Sequence, residues 1–324
     1  MQCSGATEVG TEGLAETAFR IAEKKYKLYR VDRRTAKRVR PPPDTDFSDV
    51  VDFTNWDKNT TENKRAMRFL DDNKQMLEFV SVPGLFFFPQ AIPVDLQATW
   101  ATTALTQFAT SPPYPNNRTT LDPGACTNGY EPGMRWATLG FNYNWTEKSY
   151  DAELFSPFPA LVKQFVEPLV GKLRDVLLSN RAATASEKEA LHRVFDGYEP
   201  QTAIVNYFPV GSMMMAHQDV SEVCLERPLV SCSVGCSVVF LMGTDKREDK
   251  PHAFLIRSGD VVVFTGPSRV AFHAVPRILE DCPASLLPVE EGEERWREVM
   301  ATLRINVNIR QVYEKSFPKL FIEK

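Results

Sequence analysis

Residues 304–310 read RINVNIR, so Arg304, Asn306, Asn308 and Arg310 alternate with Ile305, Val307 and Ile309. Residues two apart in a strand share a face, and four polar side chains must therefore point one way. Turned to water, they would make an ordinary amphipathic strand. Turned to a sheet interior, the two arginines would be costly unless an anion neutralised them. What surrounds this stretch decides between the two.

Working outward, residues 202–208 (TAIVNYF), 228–243 (PLVSCSVGCSVVFLMG), 252–266 (HAFLIRSGDVVVFTG) and 269–275 (RVAFHAV) are further strand-like runs, separated by Gly, Asp and charged turns. Short strands at this spacing predict a sandwich or barrel. RSGDVVVF (257–264) reads as a tight hairpin, with Gly259 supplying the unusual backbone angle. Upstream, LFFFP (85–89) reads as a strand, and the residues after it have helical spacing. Leu161, Val162, Phe165, Val166, Leu169, Val170, Leu173, Val176 and Leu177 lie on one helical face, predicting a helix that covers the sheet, with a kink or a fresh start at Pro168. Ser186 and Glu189 have capping-box spacing and place another helix start there. The basic run from 20 to 40 ends in prolines 41–43, which marks a boundary; the run is either a solvated arm or a segment lying along a phosphate backbone.

The chain of 324 residues is 43% hydrophobic and 25% charged, with a net charge of -4. It is globular, and it is not held to nucleic acid by overall charge, although a local basic track remains open. Six cysteines without a C-x-x-C pair suggest buried, reduced thiols in an intracellular compartment. No run of eighteen apolar residues is present, and the first residues lack a secretory signal, so neither membrane spanning nor secretion is expected. Glu8, Glu12 and Glu16 are unlike an acid-poor mitochondrial presequence and tip the balance slightly to nucleus or cytoplasm, with the mitochondrion left open.

Residues 213–222 read MMMAHQDVSE. In a strand, His217 and Asp219 would present an imidazole and a carboxylate on the same face, and His273 on a later strand can be brought opposite them. H-x-D alone is a weak signal. Two histidines and one carboxylate leave three metal positions open, the arrangement of non-haem Fe(II) oxygenases. With Asn206 upstream, the polar face of RINVNIR then calls for a 2-oxo dicarboxylic acid. Its keto acid end would chelate iron, its far carboxylate would take a guanidinium, and O2 would fill the last position. The three methionines read as core and pocket filler.

H-x-D, a distant His and R-x-N-x-x-x-R, in that order, resemble the AlkB family of Fe(II)- and 2-oxoglutarate-dependent nucleic-acid dioxygenases. RWATLGFNYNW (135–145), FLMGTDKR (240–247), SGDVVVFTGPSRVAFHAVPR (258–277) and RINVNIRQV (304–312) are most similar to the eukaryotic AlkB homologue one branch. The resemblance spans roughly residues 80 to 313. It implies an α+β, mainly β fold: a double-stranded β-helix (jelly-roll) core with supporting helices and an N-terminal nucleotide-recognition lid. The corresponding division is a basic, partly flexible extension at 1–75, helices and lid at 76–199, and the dioxygenase core at 200–324.

The resemblance further implies Fe(II), 2-oxoglutarate and O2 at His217, Asp219 and His273. Arg304 would pair with the distal carboxylate and Arg310 would sit near the iron end, with Asn206, Asn306 and Asn308 beside them. Phe208 stands where many relatives carry a tyrosine whose hydroxyl touches the cosubstrate; Tyr207 alternates to the other face. For substrate, the implied residues are Trp136 and Tyr143 at base-stacking and phosphate positions, Arg247 at the pocket edge, and Ser221 where the bacterial relative has an aspartate. The expected activity is oxidation of methylated bases: demethylation of tRNA 1-methyladenine, oxidation of tRNA 5-methylcytosine, or demethylation of N6-methyladenine in unpaired DNA. Two alternatives are the same iron chemistry on a protein side chain, such as a histone, and a non-catalytic module that binds modified RNA.

Overall fold

A computed structural model describes residues 16–31, 38–39, 45–180, 182–287 and 294–321. The first part of the basic run folds into the helix at Ala18–Tyr26 and a strand, whereas residues 32–37 and 40 lie outside the described residues, as do Glu8, Glu12 and prolines 41–43. Within the described part, β1 (Arg30–Val31) pairs with β2 (Arg38–Val39).

Two sheets face each other. The five-stranded one is ordered β10 (Met214–His217), β15 (His273–Ile278), β12 (Val238–Met242), β13 (His252–Ile256) and β3 (Val51–Asp52). The nine-stranded one begins with β4 (Met67–Phe69), β5 (Leu77–Phe79), β6 (Leu85–Phe88), β14 (Val261–Phe264) and β11 (Leu229–Gly235). It continues with β16 (Leu303–Arg310), β9 (Thr202–Pro209), β7 (Trp136–Asn144) and β8 (Ser149–Phe155). This is the jelly roll.

Alternation sorts the side chains into three layers. Phe87, Val262, Phe264, Phe240 and Phe254 pack between the sheets. Ile305, Val307 and Ile309 of β16 point outward with Val205 and Leu139, where helices α3 (Val94–Thr103) and α5 (Ala160–Ser179) cover them through Trp100, Val166 and Leu173. On the far side of the smaller sheet, α1 (Ala18–Tyr26) buries Phe19 and Tyr26 against Leu241 and Ala274. Since β16 is covered on both faces, its polar side has no solvent to turn to.

Shorter helices are α2 (Thr61–Arg65), α4 (Asn117–Leu121), α6 (Ala185–Phe195), α7 (Gly266–Arg269) and α8 (Glu294–Met300). Several expectations need correction. The segment 257–264 is no hairpin, because β13 pairs with β12 and β3 whereas β14 pairs with β11 and β6. Its turn carries the chain from one sheet to the other. Gly259 has φ +88, and a Cβ there would lie 2.3 Å from Gln97 Nε2. The capping box on α6 is made by Thr184 and Glu187, two residues before the expected pair, since Thr184 Oγ1 is the atom that accepts from the N3 amide. α5 passes through Pro168 without a fresh start; the proline lies on the exposed side, where water can satisfy the carbonyl it leaves unbonded. Residues before 75 supply strands to both sheets and the helix α1, so the N-terminal segment is partly built into the core. Met214 does line the central cavity, but Met215 is exposed because β10 is an edge strand.

Candidate metal centre

The antiparallel register of β10 and β15 places His217 directly opposite His273, with ring centroids 4.3 Å apart. Asp219 follows two residues on, and one ligand atom from each of the three residues lies within 4.8 Å of the others. His217 Nε2 is 3.9 Å from Asp219 Oδ1 and His273 Nε2 is 3.8 Å from Asp219 Oδ2. Each imidazole donates its Nδ1–H to a main-chain carbonyl, His217 to Met215 at 2.9 Å and His273 to Ala271 at 3.2 Å. A carbonyl can only accept, so these bonds fix the tautomer and leave both Nε2 lone pairs aimed at the Asp219 side.

The electrostatics suit a cation. Burial lowers the His273 pKa, His217 adds to that, and the result is about 4, which keeps the ring neutral and able to ligate near pH 7. Burial raises the Asp219 pKa, but Arg310, then His273 and His217, outweigh it and leave the carboxyl well below its ordinary value. Asp219 stays an anion.

These residues open into a narrow cavity of about 40 Å³ between the sheets, also lined by Asn206, Phe208, Arg304, Asn306 and Asn308. Arg304 is 3% exposed, and only its Nη2 has a partner, Ser233 Oγ at 3.0 Å. Its Nε and Nη1 are buried with no hydrogen-bond partner, as is Asn308 Oδ1. Burial alone pushes the Arg304 pKa down to about 9. An unpaired, buried guanidinium in the same cavity as a His/Asp/His cluster fits an anion that also reaches the metal. Asn306 is held by donating to Ser231 Oγ at 2.9 Å and to the Cys232 carbonyl at 3.0 Å.

Arg310 differs from Arg304. Its Nη2 donates to Asp219 Oδ2 at 2.6 Å, its Nε is 3.0 Å from Glu222 Oε1, and its Nη1 is 3.4 Å from the Tyr150 hydroxyl. It is committed to protein groups and sits behind the His/Asp/His cluster. Phe208 lies with its ring 5.9 Å from the Arg304 guanidinium, and Tyr207 points the other way, its hydroxyl donating to the Ala104 carbonyl at 2.7 Å.

Among the substrate candidates Trp136, Tyr143 and Ser221 are joined into one wall, none of the four lines the cavity itself, and Arg247 packs elsewhere. Trp136 is opposite Asn206 in the β7–β9 register, and its ring packs on Trp145 at 4.7 Å. Tyr143 packs on Trp145 and Tyr150, and its hydroxyl is 2.9 Å from Ser221 Oγ, which ties the wall to the loop carrying Asp219. Arg247 lies over Phe272 at 4.7 Å and donates to the Ala216 carbonyl at 3.1 Å, one residue from His217. Sequence reasoning missed Glu23 of α1, which accepts from the Ala216 amide at 2.7 Å, and it missed Glu222, Arg269 and Tyr150. No spacing rule links residues so far apart in the chain.

Residues 84–310 match the 2OG-Fe(II) oxygenase superfamily. The chain is 30% identical to the DNA N(6)-methyladenine demethylase ALKBH1A of Arabidopsis thaliana, over 92% of this chain and 96% of that protein. It is 38% identical to the tRNA demethylase abh1 of Schizosaccharomyces pombe, over 55% of this chain and 53% of that one. To the nucleic acid dioxygenase ALKBH1 of Homo sapiens it is 31% identical, over 57% and 48%. The chain thus spans about half the length of these last two relatives. The solved structure of OsALKBH1 has a TM-score of 0.50 at 21% identity, covering 71% of this chain and 97% of that one, a likeness of fold.

Proposed function

Since the chain belongs to the AlkB family within the 2OG-Fe(II) oxygenase superfamily, we propose that it demethylates methylated bases in nucleic acid, with His217, Asp219 and His273 holding Fe(II) and Arg304 holding the far carboxylate of 2-oxoglutarate. One observation carries this reading: the unpaired Arg304 nitrogens share a cavity with the His/Asp/His cluster. When bound, Fe(II), 2-oxoglutarate and O2 supply the oxidation, in which the cosubstrate leaves as succinate and CO2 and the substrate methyl group leaves as formaldehyde.

The chain's own residues set the conditions for that chemistry. Two Nδ1-bonded imidazoles and one carboxylate offer three ligand atoms on one side of the centre. Arg304, with Asn206 and Asn306 at hand, orients the cosubstrate along the cavity, and Phe208 and Phe264 keep its walls apolar. Trp136, Tyr143 and Arg247 stand where an extruded base and its phosphates are contacted, beside the loop of Asp219. The relatives' names support nucleic acid as substrate and include both DNA N(6)-methyladenine and tRNA demethylases. We favour tRNA or unpaired DNA, with the protein acting inside the cell, in nucleus or cytosol. Among the described residues, no helix is long and apolar enough to cross a membrane.

The test is release of succinate and formaldehyde by purified protein with Fe(II), 2-oxoglutarate and a panel of methylated tRNA, stem-loop and single-stranded DNA oligonucleotides. Equal amounts of both products on one oligonucleotide, and none from His217→Ala, are expected. Succinate formed without any dependence on nucleic acid would redirect the reading to a protein or small-molecule substrate.

A further inference from the structure

Behind the candidate metal centre, four charged side chains are joined in a row. Asp219 Oδ2 accepts from Arg310 Nη2 at 2.6 Å, and Arg310 Nε lies 3.0 Å from Glu222 Oε1 as an ion pair without hydrogen-bond alignment. Glu222 Oε2 accepts from Arg269 Nη2 at 2.6 Å. Arg269 Nη1 then returns to the start by donating to the main-chain carbonyl of Asp219. The side chains of Arg310, Glu222 and Arg269 are 5%, 1% and 2% exposed. The row is closed and carries no net formal charge, Asp219 and Arg269 also line the cavity, and the row joins the 217–222 loop, α7 and β16. A second strap runs alongside, from Gln218 Nε2 to the Val270 carbonyl at 2.6 Å.

We propose that Glu222 and Arg269 are positioning residues for the metal centre. Glu222 holds the guanidinium of Arg310, so the direction in which Arg310 presents its Nη2 to Asp219 is set by a carboxylate that touches no ligand itself. Arg269 holds Glu222 and the Asp219 main chain together, and it lies four residues before His273, so one side chain registers the two ligand-bearing segments against each other. A stability role is the weaker explanation, because a buried ion pair contributes little to fold stability against well-packed apolar residues of the same size. Groups behind a metal ligand act on how well that ligand is aimed.

The inference rests on His217, Asp219 and His273 being the metal ligands, and the experiment separates the two claims. Full-length, metal-free protein is titrated with Co(II) and binding is followed by visible absorption. Saturable binding in the wild type, lost in His217→Ala, establishes the ligands. Arg269→Gln and Glu222→Gln are then expected to bind Co(II) about 10- to 100-fold more weakly, with an altered ligand-field spectrum. Arg269→Lys, which restores the cation, should recover part of the loss. The double variant removes one charge of each sign and so preserves the fold if a single change does not; it should weaken binding no more than the stronger single change, because the two residues act as one unit. A merely structural pair would lower the unfolding midpoint yet leave Co(II) affinity and spectrum at wild-type values in the folded variants, and that result would overturn the proposal. Wild-type Co(II) affinity in His217→Ala would remove its basis.

Discussion

Arg304→Gln separates the cost of a buried cation from the binding it makes possible. Arg304 is 3% exposed and two of its three nitrogens have no partner. Its shift from 12.5 to about 9 corresponds to on the order of 5 kcal/mol of hydration that the protein does not return. A bound carboxylate returns part of it through charge-assisted hydrogen bonds of about 1.5–3 kcal/mol each. Glutamine keeps a neutral donor but neither the charge nor the fork, so 2-oxoglutarate binding should weaken by about 2–4 kcal/mol, or about 30- to 700-fold. The cosubstrate-free protein should behave in the opposite sense, with unchanged or higher stability, because an unpaired buried charge has gone. Calorimetric titration of Mn(II)-loaded protein with 2-oxoglutarate, oxygen excluded, measures the first effect; thermal unfolding with and without cosubstrate measures the second. Mn(II) affinity itself should not move, since Arg304 touches none of the three ligands. If Arg304→Gln binds 2-oxoglutarate within about threefold of the wild type, or unfolds much more readily on its own, the reasoning is wrong.

Further predictions concern the cosubstrate wall, the N-terminal segment and the crossing between sheets. Phe208→Tyr restores a hydroxyl near Arg304, and a hydrogen bond of about 1 kcal/mol would tighten 2-oxoglutarate binding about fivefold; an unchanged or weaker KM for 2-oxoglutarate would contradict this. Arg257 donates twice to the Asp52 carboxylate, at 2.7 and 2.8 Å. Burial raises the Asp52 pKa, but the Arg257 hydrogen bond and charge outweigh it and leave it at about 2 instead of 3.8. Because the folded value is the lower one, this stabilisation is whole above the ordinary pKa and is lost as pH falls through the folded one. Asp52→Asn should therefore lower the urea-unfolding free energy by about 2 kcal/mol at pH 7 and about half that near pH 3, and equal losses at both would count against the pair. Gly259→Ala places a Cβ 2.3 Å from Gln97 Nε2 at φ +88 and should cost at least about 1–3 kcal/mol in thermal unfolding; a neutral result would mean that the turn between the sheets is not built as described.

The site was far more legible in the sequence than the sheet connections were. RINVNIR announces two faces by its alternation, and H-x-D with a later His names a ligand set, because both are local patterns. The structure adds that both faces of β16 are buried, the polar one into the cavity of Arg304 and the apolar one under α5. Whether SGD at 258–260 turns a strand back on itself or sends it across to the other sheet depends on the partners of β13 and β14, and those lie up to two hundred residues away. β3 is two residues long and too short to show a period, so the tie of the N-terminal segment to β13 left no trace in the sequence pattern. Glu222 and Arg269 are single charged residues in ordinary surroundings, and only the fold brings them together. Thr184 and Ser186 both begin plausible capping boxes, and the chain uses the one whose glutamate also accepts from the cap's own amide.

The most direct test of the account is the visible absorption of the Fe(II)-loaded protein when 2-oxoglutarate is added without oxygen. Chelation by the keto acid at a centre with three protein ligands and three open positions predicts a charge-transfer band that saturates at one cosubstrate per iron, absent in His217→Ala and reached only at much higher 2-oxoglutarate in Arg304→Gln. Tight, stoichiometric 2-oxoglutarate binding with no such band, or the same band in His217→Ala, would contradict the assignment of His217, Asp219 and His273 as the iron site.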